Sequence, residues 1–380
     1  MGIMKKLLKK ILNLLPLSNL ILFESRPDFS DNTKAVFDEM VRRGYNKKYR
    51  FVWLLSNETV DCSCIADIGN VSAIKRNNKS KLDKLKYLYV LLRAKLIIGC
   101  NDFVPKQLAK QKYIHLAHGC ALKKTEYYRL PDYIDCVVTI SDYMKKYDAI
   151  NYNCPESKFI VTGYPRCDDL FVQTDIKALF THPFDKIIIW LPTFRQSIRN
   201  GGCQHSSISF PIIDDVEKAE RLNCYCRDNN TLIIVKIHPN QDMSLINTLE
   251  LSNLLFVKDD FFLEKGITLY QFMGNCDALI SDYSSVYYDY LLCDKPIGLC
   301  WEDFEDYNSR VGFTVNPQFI LAGGEKLYHY DDLTQFISEV AENIDNLAAK
   351  RNVIKKTVYQ DTDNCSTKRV VNIIDSLLKK

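Results

Sequence analysis

Residues 277–306 read DALISDYSSVYYDYLLCDKPIGLCWEDFED, and their order of residue types decides the fold. The run 278–281 is apolar without alternation and stops at Asp282. A polar cluster, Asp282-Tyr283-Ser284-Ser285-Val286-Tyr287-Tyr288-Asp289, then opens a helical stretch, and a second apolar run follows at 296–300. Runs that are apolar throughout belong to strands buried on both faces, the condition of a parallel sheet. Strand, helix and strand in that order make a βαβ unit.

The same alternation extends outward in both directions. Apolar runs at 20–23, 50–55, 95–99, 113–116, 136–140 and 158–162 form one series. Those at 186–191, 231–237, 253–257, 278–281 and 296–300 form a second. Helical patterns at 33–43, 80–93, 215–228 and 333–346 lie between them. Two series predict two doubly wound, Rossmann-like domains facing a cleft, an α/β fold of GT-B type. The joint falls in the polar stretch 170–183, after Gly163-Tyr164-Pro165-Arg166. The expected domains are therefore 20–170 and 171–380, with residues 1–19 standing apart. The stretch 195–210, with Gly201-Gly202 and many serines, reads as a loop over the cleft.

A chain of 380 residues suits two ordinary domains. Its apolar share of 47% and charged share of 26% are those of a protein with a sizeable core. A net charge of +3 argues against nucleic acid as a partner, and no arginine-rich or aromatic-interleaved binding motif occurs. The early apolar stretch is interrupted by Lys9, Lys10 and Pro16, unlike a cleavable secretion signal. The 14 cysteines are accordingly expected to be reduced thiols. Cys62-x-Cys64 and Cys224-x-Cys226 lack the spacing of zinc ligands, and no metal site is expected.

No apolar run approaches the roughly 20 residues that span a bilayer. At about 100° per residue, Ile3, Met4, Leu7, Leu8, Ile11, Leu12, Leu14 and Leu15 fill one half of a helix. Lys5, Lys6, Lys9 and Lys10 fill the other half. An apolar face opposite a purely basic one is the pattern of a helix lying in an anionic membrane surface. The competing reading is a helix docked on its own domain.

Ligands of doubly wound folds sit past the carboxyl ends of the strands, and four polar clusters fall at such places. His118-Gly119-Cys120-Ala121-Leu122-Lys123-Lys124 follows the run 113–116 and offers a candidate base beside close backbone approach and two cations. Pro192-Thr193-Phe194-Arg195 follows the run 186–191 and offers a guanidinium suited to phosphate. Lys236-Ile237-His238-Pro239-Asn240 puts His238 where a proline stops the ladder, able to donate to a phosphate oxygen. In the quoted stretch, Ser284 and Ser285 open a helix and present hydroxyls to an anion, with Asp289 one turn on, within reach of a ribose hydroxyl. Each has a plainer alternative: a histidine that closes a loop, a solvated arginine, a buried histidine, a serine cap. The tyrosines 287, 288 and 290 are expected to pack.

Taken in order, these clusters resemble the CDP-glycerol glycerophosphotransferase family, the teichoic-acid primases and polymerases. The stretch 277–306 carries the most specific likeness. Leu22-Phe23-Glu24-Ser25 with Ser30-Asp31-Asn32, Gly163-Tyr164-Pro165-Arg166 and Lys236-Ile237-His238-Pro239-Asn240 add to it, so the resemblance covers nearly the whole chain. The chain departs from the family pattern at Cys120-Ala121, Cys167, Phe194 and Leu321-Ala322-Gly323-Gly324.

The resemblance implies attack by an acceptor hydroxyl on the β-phosphorus of CDP-glycerol, with CMP leaving. His118 would be the general base, while His238 and Arg195 neutralise the pyrophosphate. Ser284 and Ser285 would bind its oxygens and Asp289 the ribose, with Gly119, Lys123, Arg166 and Thr193 as further substrate contacts. With no D-x-D motif, no obligatory metal or other cofactor is expected. The implied partners are a CDP-glycerol or CDP-ribitol donor, a lipid-linked or polymeric glycan acceptor, and the anionic cytoplasmic face of the cell membrane. A GT-B sugar transferase and a catalytically silent membrane scaffold are the alternative readings.

Overall fold

The computed structural model describes residues 14, 16–56, 60–77, 80–125, 129–193, 210–237 and 246–379. The N-terminal amphipathic segment, apart from Leu14, therefore lies outside the described residues, as do Arg195, His238 and most of the stretch 195–210. The chain forms two compact units, each built on one sheet.

The first unit comprises Met1–Cys120, Thr125–Asp168 and Tyr359–Lys380. Its strands are β1 (Leu20–Glu24), β2 (Arg50–Leu55), β3 (Val71–Lys75), β4 (Leu96–Gly99), β5 (Lys112–His115), β6 (Cys136–Thr139) and β7 (Phe159–Val161), in spatial order β3-β2-β1-β4-β5-β6-β7. Every pairing is parallel. The inner strands are buried along their length, LILFE of β1 and LIIG of β4 throughout, as their unbroken apolar composition requires. Phe23, Phe37, Phe51 and Trp53 meet edge-on and stacked at 5.0–5.8 Å between ring centroids and form the centre of this core.

The second unit comprises Ala121–Lys124 and Asp169–Val358. Its strands are β8 (Lys186–Trp190), β9 (Thr231–Lys236), β10 (Leu254–Val257), β11 (Ala278–Ser281), β12 (Ile297–Cys300) and β13 (Glu325–Leu327), again all parallel, in the order β10-β9-β8-β11-β12-β13. Both sheets are thus doubly wound, and the α/β fold of GT-B type expected from the sequence is the one observed.

Two strands escape the sequence pattern. β3 (VSAIK) and β13 (EKL) are sheet edges, short and only half-buried. An edge strand needs no continuous apolar run, so composition does not announce it.

The division at residue 170 also needs correction. The last helix, Ser366–Lys379, buries Val370, Val371, Ile374 and Leu378 in the first unit, with Tyr45 donating to Asp375. Conversely, Ala121–Lys124 is held by the second unit. Lys123 forms an antiparallel bridge with Phe313, and Thr314 N–H donates to Leu122 O at 2.9 Å. Every described cysteine is a free thiol. Burial pushes the thiols of Cys136 and Cys226 up to about 12, so they act as small apolar side chains.

Candidate active site

In the first unit, the chain leaves β5 at His115 and turns through Ala117, whose φ of 52° lies in the left-handed region. The turn presents His118 with 65% of its side chain exposed. Helix Asp31–Arg42 begins nearby, and its first residue also has positive φ, 61°. Such conformations cost about 1–3 kcal/mol for a non-glycine residue and persist only where surrounding contacts impose them. Here those contacts are visible. The Asp31 carboxylate meets His118 Nδ1 through Oδ2, and its Oδ1 takes Arg166 Nη1 at 2.7 Å.

Burial by itself would raise the pKa of Asp31. The Arg166 charge, followed by the hydrogen bond and charge of His118, outweighs burial and holds the carboxyl at about 2. Asp31 is therefore ionised at neutral pH, so Nδ1 of His118 must donate. In the neutral imidazole, Nε2 is then the nitrogen that can accept a proton.

Asn32 fixes this arrangement from behind. It is fully buried. Its amide nitrogen donates to the carbonyls of Leu116 and Ala117 at 3.2 and 2.9 Å, and its oxygen accepts Arg166 N–H at 3.0 Å. One carboxamide thus ties together the helix start, the His118 turn and the arginine segment.

Arg166 closes the segment Gly163-Tyr164-Pro165-Arg166. Gly163 has φ 75°, and a Cβ there would overlap the Ser366 side chain, so glycine is required on two counts. The last helix braces the same segment. Asp168 accepts the N–H groups of Ser366 and Thr367 at 2.9 and 2.8 Å, and Arg369 donates to Thr162 O at 2.8 Å.

In the second unit, the strand order reverses between β8 and β11, the switch point where doubly wound sheets bind ligands. Asp282, fully buried after β11, bridges that point. Its Oδ2 accepts Thr193 N–H at 2.8 Å and its Oδ1 accepts the Thr193 hydroxyl. Ser281 ties the same ends together by donating to Leu191 O at 2.9 Å. Tyr283, beneath, is fully buried among Trp301, Phe304, Tyr307 and Phe313 and donates to Asp303 at 3.0 Å. The backbone at Ser284 and Ser285 is held by these anchors, and both serines stay half-buried at the strand end.

Helix Val286–Tyr290 is only five residues long. Asp289 is 1% exposed and accepts the Tyr270 hydroxyl at 2.6 Å. Its carboxylate is thus engaged inside the fold, in a helix buried from Tyr287 to Tyr290. Tyr287, Tyr288 and Tyr290 are fully buried, as expected of packing residues. Lys123 is half-buried, with Nζ 6.0 Å from the Tyr307 ring centre. Burial lowers its pKa and the Asp282 charge opposes that shift. Gly119 lies at the turn after His118, half-buried.

A family model described as CDP-Glycerol:Poly(glycerophosphate) glycerophosphotransferase matches residues 7–376. The chain belongs to this family. Among its relatives, the Staphylococcus aureus teichoic acid ribitol-phosphate polymerase TarL is 29% identical over 346 residues, covering 83% of this chain and 56% of TarL. The Bacillus subtilis teichoic acid glycerol-phosphate primase is 24% identical over 383 residues, covering 92% of this chain and 90% of the primase. The chain spans 56–58% of the length of the ribitol-phosphate polymerases it matches. A solved structure of the wall teichoic acid polymerase TagF has the same fold, with a TM-score of 0.73 and 19% identity, covering 98% of this chain and 93% of that one.

For this member of the glycerophosphotransferase family, the structure brings His118 and Arg166 together on one carboxylate, and Thr193, Ser284 and Ser285 to one switch point. The carboxylates at both places, Asp31 and Asp282, were not among the residues chosen from sequence. Both stood inside quoted motifs, and the available signal was an acid at a strand end next to a residue already chosen.

Proposed function

We propose that this chain transfers an alditol phosphate from a CDP-alditol to a hydroxyl of a teichoic-acid-like acceptor, releasing CMP. The observation that carries this reading is the Asp31–His118 pair, buttressed by Arg166, in a chain of the glycerophosphotransferase family. His118 Nε2 takes the proton of the acceptor hydroxyl. The hydroxyl oxygen bonds to the β-phosphorus as the bond from that phosphorus to the CMP oxygen breaks, and CMP keeps the electron pair. Such transfers ask mainly for positioning and charge neutralisation.

In this scheme His238 and Arg195 neutralise the pyrophosphate, and Ser284 and Ser285 donate to its oxygens. Thr193 and Lys123 flank them, and Gly119 gives the acceptor close backbone approach. Arg166 acts through Asp31, holding it ionised. Glycerol phosphate is the first-choice unit, after the family description. The relatives named for ribitol phosphate favour CDP-ribitol as the second reading. Mass spectrometry of products formed from CDP-glycerol, CDP-ribitol and UDP-sugars tests the reading. Product from a UDP-sugar alone would overturn it.

The same proposal includes attachment to the anionic cytoplasmic face of the membrane. Among the described residues no helix is long and apolar enough to cross a membrane. Helix Lys81–Arg93, however, exposes Leu82, Leu85, Leu88 and Tyr89 beside the exposed lysines 81, 84 and 86. Ser18 donates its N–H and hydroxyl to Arg93 O at 2.9 and 3.0 Å, at the end of that helix. Exposed leucines among lysines match an anionic lipid surface.

A further inference from the structure

Arg166 reaches Asp31 from a segment with little support of its own. β7 (Phe159–Val161) is an outer strand of the first sheet and only three residues long. Past it, Thr162 and Gly163 both donate their N–H groups to Thr139 O, at 3.0 and 3.1 Å. From there the last helix, Ser366–Lys379, takes over and brackets Arg166 on both sides. Arg369 Nε donates to Thr162 O at 2.8 Å, and the Thr367 hydroxyl donates to Pro165 O at 3.2 Å. Asp168 returns the contact, its Oδ1 accepting Ser366 N–H and its Oδ2 accepting Thr367 N–H. A helix start leaves such N–H groups without partners, and its dipole favours a carboxylate there. Asp363 in turn holds the Arg369 fork with both oxygens, at 3.0 and 2.8 Å.

These contacts lead to the base. Arg166 is 8% exposed and places Nη1 on Asp31 Oδ1, while the other Asp31 oxygen meets His118 Nδ1. The two oxygens share one plane, so a guanidinium that fixes the first also fixes the second. A ring as exposed as that of His118 is oriented by its hydrogen bond more than by packing. The neighbouring titratable groups leave this carboxylate to Arg166 and His118. His115, at the end of β5, is fully buried, and burial takes its ring down to about 3 against the pull of the Asp31 charge. Glu24, fully buried at the end of β1, accepts the N–H groups of Asn101 and Asp102. Burial moves its carboxyl up to about 7 against those bonds and the Arg76 charge.

We infer that Asp168 and the last helix are positioning elements of the transfer reaction. They hold Arg166 on Asp31, and so keep the proton of neutral His118 on Nδ1 and Nε2 open to the acceptor hydroxyl. This rests on the reading of His118 as the acceptor base. An imidazole released from Asp31 loses the bond that selects its tautomer and takes up both.

Nitrogen NMR of the isotope-labelled full chain, at a pH where the histidine rings are neutral, reads the tautomer. The His118 signals are identified by their loss in His118→Gln. Wild type should carry the proton on Nδ1. Asp168→Ala and Arg166→Gln should each show a second population protonated on Nε2. The double variant should show no more than Arg166→Gln alone, because both act on one path. Asp168→Ala should lower kcat roughly tenfold or more, the scale of a misplaced catalytic group, with CDP affinity and KM for the donor unchanged. Asp168→Asn, whose amide oxygen still accepts an N–H, should recover much of that loss.

A wild-type tautomer in folded Asp168→Ala protein would overturn the inference. So would equal losses of kcat and CDP affinity that Asp168→Asn leaves uncorrected, the mark of a general loss of structure. If Asp168→Ala does not fold, Arg369→Gln carries the tautomer test, since that side chain is 26% exposed and bonds to Thr162 O. A shifted tautomer with turnover preserved in His118→Ala would count against the acceptor-base reading alone.

Discussion

His118 Nδ1 is hydrogen-bonded to Asp31 Oδ2, and this contact decides which ring nitrogen does chemistry. An ionised Asp31 keeps the proton on Nδ1 and leaves Nε2 as the nitrogen that takes the proton of the acceptor. His118→Ala should abolish transfer while CDP affinity, measured by calorimetry, stays within twofold. Asp31→Asn should keep the fold and lower kcat by roughly 10²-fold or more, the scale of general-base assistance. Near-normal turnover in a folded His118→Ala protein would remove the base from this scheme.

Glu24 gives a pH signature of opposite sign to Asp31. The folded-state pKa of Glu24 is raised to about 7 from its ordinary 4.5, so the native protein holds the proton more tightly than the unfolded chain. Stability from this group is full below about 4.5 and is lost as pH rises through 7, by about 3 kcal/mol in all. Glu24→Gln should remove that decline. Asp31, held at about 2, contributes stability that is present above about 4 and lost as pH falls through 2. Melting temperatures of wild type and Glu24→Gln between pH 5 and 8 check the first claim. Parallel curves would refute it.

The serines of the second unit should bind the donor. Ser284→Ala with Ser285→Ala should weaken CDP binding, each lost hydrogen bond to a charged group being worth ~1.5–3 kcal/mol. Calorimetric titration with CDP measures it. Unchanged affinity would leave the serines with no role beyond starting the short helix Val286–Tyr290.

Membrane attachment should depend on charge as well as on apolar surface. Removing residues 1–15 should release the protein from anionic liposomes while activity on a short soluble acceptor survives. Changing Lys5, Lys6, Lys9 and Lys10 to glutamine should weaken binding to anionic vesicles far more than to neutral ones, at about 1 kcal/mol per lysine. High salt should mimic that loss, since exposed charges are screened over ~8–10 Å at ordinary ionic strength. Liposome flotation decides it. A truncated protein that floats as the full chain does would rule the segment out as the anchor.

What the sequence determined by itself is what local patterning records. Apolar runs such as 187–190 and 278–280 are buried on both faces wherever they end up, so the two series of strands and their parallel pairing were legible in composition. Polar clusters at strand ends were legible for the same reason, since a doubly wound sheet brings its carboxyl ends to one edge whatever the details of packing.

Tertiary structure alone decided which clusters meet. Asp31 and Arg166 stand 135 residues apart, and no local period links them. Their contact depends on Asn32 binding three segments and on Ser366 fitting against a glycine with no Cβ. The amphipathic pattern of residues 366–379 required a buried face, yet it could not name the unit that buries it. Asp289 shows the same limit. Helical spacing put it one turn from Ser285, but the Tyr270 hydroxyl, from a different helix, engages its carboxylate inside the fold. Sequence spacing sets a side chain's direction along its own element, whereas its partners are set by long-range packing.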